Sequence, residues 1–444
     1  MPQKPELRRM LEGFAGRVSF HMPGHKGLGE GAWADLTELP GGDDLHRPAG
    51  AYLALEERAA GLYGAAKSLL LVGGSTLGVQ AMLLAALRPG DAFLLPRNAH
   101  HSAWAACVLG DLRPIAVLPG ADGELTEGGI LRAMDENPGA KGVFVTRPDY
   151  YGRCPPLFGI AQRARALGMK LLVDEAHGAH LAFARRGPGS AAGLADLWCQ
   201  SLHKTLPALT QTALLHMKDA GDEAAARRAV DLLETSSPSS LLALSAEDAL
   251  VLMQEGGEAL LEGLYGQIEA FERGLDGRYR LLKGEGRDPF RLVVDVRGTG
   301  ASGYALSSFL ATRGVDMEMA DALRIVGIPS VCSKWSDFER LLAGLLAFEG
   351  KGRTPAPQFA PAFGQSSLPP REAFFAGRER VALKGAAGRI CAEAFGLYPP
   401  GLPFAAPGER ITQDVVSALG EGLALGAKPF GMDENGAVFC IKRG

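Results

Sequence analysis

No stretch of this chain approaches the roughly 20 consecutive apolar residues that a membrane span requires, which excludes an integral helical membrane protein. Cysteine is scarce and scattered. The six thiols, at positions 107, 154, 199, 332, 391 and 440, form no Cys-x-x-Cys pair, so they read as reduced core residues and not as a disulfide frame or a zinc site, and no metal is expected. Charge of one sign is also missing. The 46 basic and 50 acidic residues are interspersed, which leaves no broad cationic face for nucleic acid or an anionic membrane. The opening Met-Pro-Gln-Lys-Pro-Glu-Leu-Arg-Arg-Met has positive charge without an apolar segment behind it, so a cytoplasmic protein is expected. There is no repeat, heptad pattern or low-complexity tract.

What is present is an ordinary globular composition, 47% hydrophobic and 22% charged over 444 residues, enough for two or three domains with buried cores. From Leu53 to Met217 short apolar runs alternate with amphipathic stretches. Ser68–Val72, Ala92–Leu95, Gly142–Thr146 and Lys170–Asp174 read as strands, and Thr76–Leu87 and Phe158–Leu167 as helices between them. Near-continuous apolar strands joined by helices predict a three-layer α/β/α domain around a mainly parallel sheet. After Thr235-Ser-Ser-Pro-Ser-Ser240 a long helical stretch leads into Arg291–Val296, Gly303–Arg313 and Ala322–Val326, a smaller α/β unit. The expected organisation is therefore an N-terminal arm (1–50), a large domain (51–235), a small α/β domain (236–350), a Pro- and Gly-rich linker (351–365) and a C-terminal α+β domain (366–444).

The chemistry is concentrated at strand ends, where ligands of such sheets collect. Lys204, in Ser201-Leu-His-Lys-Thr205, follows the strand-like Asp196–Gln200, and Asp174, in Asp174-Glu-Ala-His177, ends another strand thirty residues earlier. That pair suits pyridoxal 5'-phosphate (PLP): a lysine to condense with the cofactor aldehyde and a carboxylate to keep the pyridine nitrogen protonated, so that the ring accepts electrons. Taken singly, a lysine beyond a strand is more often a surface residue, and a strand-end aspartate more often a helix cap. Val72-Gly-Gly-Ser-Thr-Leu-Gly78 adds a phosphate cradle, because Gly74 lets the backbone approach an anion and Ser75 and Thr76 open a helix. His177 could donate to the cofactor's phenolic oxygen, His100 could lie flat on the ring, and Ser201 and His203 could reach the phosphate. Phe20-His-Met-Pro-Gly-His25-Lys-Gly27 and Gly41-Gly-Asp43-Asp44-Leu-His46 are polar loops of the kind that serve sites.

These segments, with Arg97-Asn-Ala-His100, Tyr150-Tyr-Gly152, Ser237-Pro-Ser239, Pro370-Arg-Glu-Ala-Phe-Phe375 and Tyr398-Pro-Pro-Gly-Leu-Pro403, resemble the Orn/Lys/Arg decarboxylase family, PLP enzymes of the aspartate aminotransferase fold (fold type I), and in particular its shorter bacterial members similar to arginine decarboxylases. The resemblance covers nearly the whole chain. It implies Lys204 as the lysine bound to the cofactor, Asp174 on the pyridine nitrogen, His177 near the phenolic oxygen, His100 over the ring, and Ser75, Thr76, Ser201 and His203 around the phosphate. It implies decarboxylation of a basic amino acid, arginine first and lysine or ornithine next, to a polyamine-pathway amine. A homodimer or larger homo-oligomer with shared sites follows, in which the motif holding His25 and Lys26 reaches a neighbour's cofactor. Asp43, Asp44 or Glu409 is expected to receive the distal cation of the substrate, since a buried guanidinium or ammonium needs a carboxylate. The chain departs from the family pattern at His101, at Ser236-Ser-Pro-Ser-Ser240 and at Tyr151-Gly-Arg-Cys-Pro-Pro156, where an acidic residue is absent. Other PLP reactions on the same fold, namely aminotransferase, lyase or Cα-acyl transferase chemistry, and a silent PLP-binding regulatory homologue are the competing readings.

Overall fold

The computed structural model describes residues 5–120, 124–350, 362–398, 402–424 and 426–443. Most of the expected linker and the Pro-Pro-Gly at 399–401 lie outside these residues. The chain forms two compact units that interleave in sequence. The first comprises 1–86, 170–263 and 330–332, the second 87–169, 264–329 and 333–444. No helix among the described residues is long and apolar enough to cross a membrane.

Seven strands follow one another along the chain: β1 (Lys67–Leu71), β2 (Ala92–Pro96), β3 (Arg113–Val117), β4 (Gly142–Thr146), β5 (Lys170–Asp174), β6 (Leu197–Ser201) and β7 (Ala213–Met217). In the first unit β6 lies parallel to β5, with Asp174 opposite Cys199, while β7 runs antiparallel between β6 and β1. The sequence pattern predicts a mainly parallel sheet; β7 is antiparallel because the Leu202–Thr212 connection is shorter than the dozen or more residues a crossover needs. Two reversals restore the direction, so the carboxyl ends of β1, β5 and β6 open on the same side. Every residue of β6 and β7 is buried, as strands covered on both faces should be.

The helix Gly74–Ala86 packs across β1, β5, β6 and β7 and against the helix Glu223–Leu233. A small residue makes that approach possible: a Cβ on Gly78 would stand 2.3 Å from Cys199 Sγ and 2.8 Å from Leu71 Cδ1. The start of that helix is thereby set at the end of β1, beside the end of β6.

In the second unit β2 pairs in parallel with β3 and β4. A separate antiparallel sheet has the order Met319–Ala320, Arg324–Gly327, Leu292–Asp295, Arg280–Leu281, and the helix Gly303–Thr312 packs on it, close to the elements read from sequence. The C-terminal strands and the helix Gln413–Ala424 enclose a core of Phe395, Phe404, Ile411, Val415 and Leu419. The motif Pro370–Phe375 forms a short helix from which Arg371 donates to the Val108 and Leu109 carbonyls, closing the last turn of the helix His101–Gly110.

Candidate active site

Within the first unit, Asp174 ends β5 and Lys204 lies on a single helical turn, Leu202–Thr205, that follows β6 directly. Lys204 Nζ stands 3.2 Å from His177 Nε2. Asp174 is 4% exposed and, among the described residues, accepts one hydrogen bond, from Ala176 N at 3.0 Å. Burial pushes its carboxyl above the usual range, and the Lys204 charge and the Ala176 N–H pull it back. A buried acid so thinly solvated has capacity for a cationic partner.

At the other edge of this cluster Ser201 Oγ donates to Ser75 Oγ at 2.7 Å, so the residue ending β6 meets the first turn of the helix Gly74–Ala86. Gly74 has φ +75°, a left-handed conformation that turns the chain into the helix. The first-turn N–H groups, Thr76 among them, have no acceptor within the helix and form an anion-binding end. Sequence reasoning missed Glu234, whose Oε2 accepts from both Val72 N and Gly73 N at 3.0 Å. Nothing in the composition around Glu234 marks this role; it depends on where the helix Glu223–Leu233 ends. His203 donates Nδ1–H to the Thr212 carbonyl at 3.0 Å, and burial lowers its pKa, so its Nε2 is an acceptor while the ring is neutral. A phosphate there requires the imidazolium. This donor set fits PLP: an amine, a buried carboxylate, two hydroxyls and a helix N-terminus.

Behind Asp174 lies a polar chain that the sequence did not reveal. Glu175, fully buried, accepts from Ser190 Oγ (2.9 Å), Ala191 N (2.8 Å) and Gln200 Nε2 (2.6 Å). Gln200 Oε1 accepts from His216 Nε2 at 3.1 Å, and Ser68 Oγ donates to His216 Nδ1 at 2.7 Å. The His216 ring packs between Tyr63 and Trp198, and burial lowers its pKa to about 3.

His100, in the second unit, caps the helix His101–Gly110, its Nδ1 meeting Ser102 N (3.3 Å) and Ser102 Oγ (2.9 Å). His25 contacts Asp35 at 3.3 Å on the N-terminal arm, where Val18, Phe20, Met22 and Leu28 are largely exposed. Two carboxylates expected to meet a substrate cation are committed elsewhere. Asp43 accepts four backbone hydrogen bonds, from Asp44, Ala49, Gly50 and Tyr52, that organise the entry into the helix Ala51–Tyr63. Glu409 is buried, paired through both oxygens with Arg97, and also accepts from Ala406 N at 2.8 Å. Arg97, itself fully buried, donates in addition to Phe404 O at 3.1 Å and packs on Trp104 and Phe363. Neither acid has the vacant acceptors a ligand cation needs. Among the described residues, Asp44 accepts from His46 N alone, at 2.9 Å.

Similarity to known proteins extends over most of the chain. Residues 7–291 match the family model of the Orn/Lys/Arg decarboxylase major domain, and residues 361–420 that of the Orn/Lys/Arg decarboxylase C-terminal domain. An arginine decarboxylase of Bacillus subtilis (strain 168) is 31% identical over 94% of this chain and 93% of its own length. Among solved structures, the constitutive lysine decarboxylase of E. coli superposes with a TM-score of 0.83 at 21% identity, covering 99% of this chain and 82% of that one. A ureidoglycine-glyoxylate aminotransferase from Bacillus subtilis superposes with a TM-score of 0.53 at 17% identity over 66% of this chain and 82% of its own, which shows the fold of PLP-dependent fold type I enzymes. The chain belongs to the Orn/Lys/Arg decarboxylase family.

Proposed function

We propose that this chain decarboxylates a basic amino acid, arginine first and lysine or ornithine next, using PLP held by Lys204, and releases CO2 with agmatine or a diamine. The observation that carries the reading is the Lys204 Nζ contact with His177 Nε2, beside the thinly solvated Asp174. When bound, the cofactor supplies an electron sink for the pair left on Cα as CO2 departs.

The protein's own residues do the rest. Asp174 holds a proton on a ring nitrogen through a charge-assisted hydrogen bond, worth about 1.5 to 3 kcal/mol. His177 Nε2 exchanges a proton with Lys204 Nζ, and that amine returns a proton to Cα. Ser75, Thr76, Ser201 and, when protonated, His203 would hold the phosphate. The site must keep the Cα–carboxylate bond perpendicular to the ring plane, since only that orientation overlaps the π system.

The exposed apolar side chains of the arm support a homodimer in which His25 serves the neighbouring site. With Asp43 and Glu409 committed, Asp44 remains the acid to meet the distal cation. The test is incubation with PLP and arginine, lysine or ornithine in turn, followed by identification of the amine. The account expects CO2 and one amine without added keto acid; a requirement for a keto acid, or no amine from any of the three, would overturn it.

A further inference from the structure

Arg291, in the second unit, is 3% exposed, and none of its three guanidinium nitrogens has a hydrogen-bond partner among the described residues. An arginine stays protonated at any physiological pH, and burying its charge without an acceptor costs several kcal/mol. A folded chain keeps such a group where something outside the chain supplies the acceptor.

The surroundings show how the side chain is held. Segments 149–154 and 286–291 run side by side: Asp288 N donates to Gly152 O and Cys154 N to Gly286 O, each at 2.7 Å, and Arg153 bridges Arg287. The stem of Arg291 lies against Gly152. A Cβ there would stand 2.8 Å from Arg291 Cβ and 3.1 Å from Cγ, and Gly152 has φ +72°, so the position favours glycine twice over. The nearby acids already have work. Asp149 accepts from Tyr151 N and Arg153 N, Glu124 pairs with Arg153 and Arg287, and Asp288 accepts from Phe290 N. These two segments and Arg147 carry four arginines, against three carboxylates when Glu124 is included. The charge left over resides on Arg291.

We infer that Arg291 forms the floor of an oxyanion-binding site in the second unit, taking a carboxylate or phosphate through its planar, two-pronged donor edge. The ligand is not the carboxylate that leaves in the proposed reaction, because pairing that group with arginine stabilises the ground state and raises the barrier. This inference stands on the second unit alone and does not need Lys204 to carry PLP.

The test is calorimetric titration of the PLP-loaded full chain, whose phosphate cradle is then filled, with inorganic phosphate and with succinate, each against chloride at equal ionic strength. Arg291→Met keeps apolar volume without charge, and Arg291→Lys keeps charge without the two-pronged geometry. The wild type is expected to bind at least one of the anions, with binding about 10- to 100-fold weaker in Arg291→Lys and lost in Arg291→Met. Preference for phosphate assigns a phosphate-bearing ligand, and preference for succinate a carboxylate-bearing one. The inference is overturned if neither anion binds more tightly than chloride, or if both variants bind as the wild type does. It is likewise overturned if Arg291→Met only dissociates the oligomer, since the acceptor then belongs to a second copy.

Discussion

Asp174 and Glu175 are adjacent, both buried and both acidic, yet they stand in opposite electrostatic states. Glu175 accepts from Ser190 Oγ, Ala191 N and Gln200 Nε2 and is continuous with Gln200, His216 and Ser68. Asp174 accepts one and faces the charge of Lys204. Burial alone therefore does not mark a site. What marks it is a buried charge whose acceptors outnumber the donors the chain provides. The second unit repeats the contrast with arginines: Arg97 donates through two of its guanidinium nitrogens to Glu409 and Phe404, whereas none of the three nitrogens of Arg291 has a partner among the described residues.

The comparison is tested most strongly at the reacting lysine. Lys204→Ala should lower decarboxylation by about 10⁴- to 10⁶-fold and abolish the visible absorbance of bound PLP, with far-UV circular dichroism unchanged. Asp174→Asn should lower kcat by about 10²- to 10⁴-fold while the thermal midpoint stays level or rises, because burial already disfavours the ionised acid. A lower midpoint with normal kcat would make Asp174 a structural residue like its neighbour.

On the saturated side the losses should be in stability. Arg97→Met should cost about 3 to 5 kcal/mol in urea unfolding by stranding the Glu409 charge, and adding Glu409→Leu should recover most of it. Glu175→Gln sets an amide against three donors and should cost about 1 to 3 kcal/mol, leaving PLP uptake intact. A Glu175→Gln protein that folds normally but fails to take up PLP would erase the distinction between the two acids.

The smallest effect concerns pH. The folded-state pKa of His216, about 3, lies below the ordinary value of 6.5, so the unfolded chain binds the extra proton first. The stability associated with His216 is complete above about pH 6.5 and declines by up to about 1.4 kcal/mol per pH unit as the pH falls towards 3. His216→Asn should show a shallower loss of urea midpoint than the wild type between pH 7 and pH 5.5; equal slopes would contradict the assignment.

Strands β1, β2, β4 and β5 and the helix Phe158–Leu167 were legible because hydrophobic runs and their period carry that information locally. Lys204, Asp174, His177, Ser75 and Ser201 were legible because strand-end placement and residue chemistry coincide, and the structure brings them together in the first unit. Antiparallel β7 was missed, since direction depends on connection length and pairing and leaves little trace in the strand's composition. Glu234, Gln200 and His216 escaped for a related reason. Each acts through a partner far away in sequence, and nothing in its own neighbours points there. The partners that Asp43 and Glu409 have within the chain were not legible, because a carboxylate in a polar loop looks the same whether it awaits a cation or caps a backbone.

The most direct measurement is borohydride reduction of the PLP-incubated protein followed by peptide mass mapping. The account predicts a single reduced pyridoxyl adduct, on Lys204, and none in Lys204→Ala. An adduct on another lysine, or none at all in a protein that nonetheless releases CO2 from arginine, would contradict it.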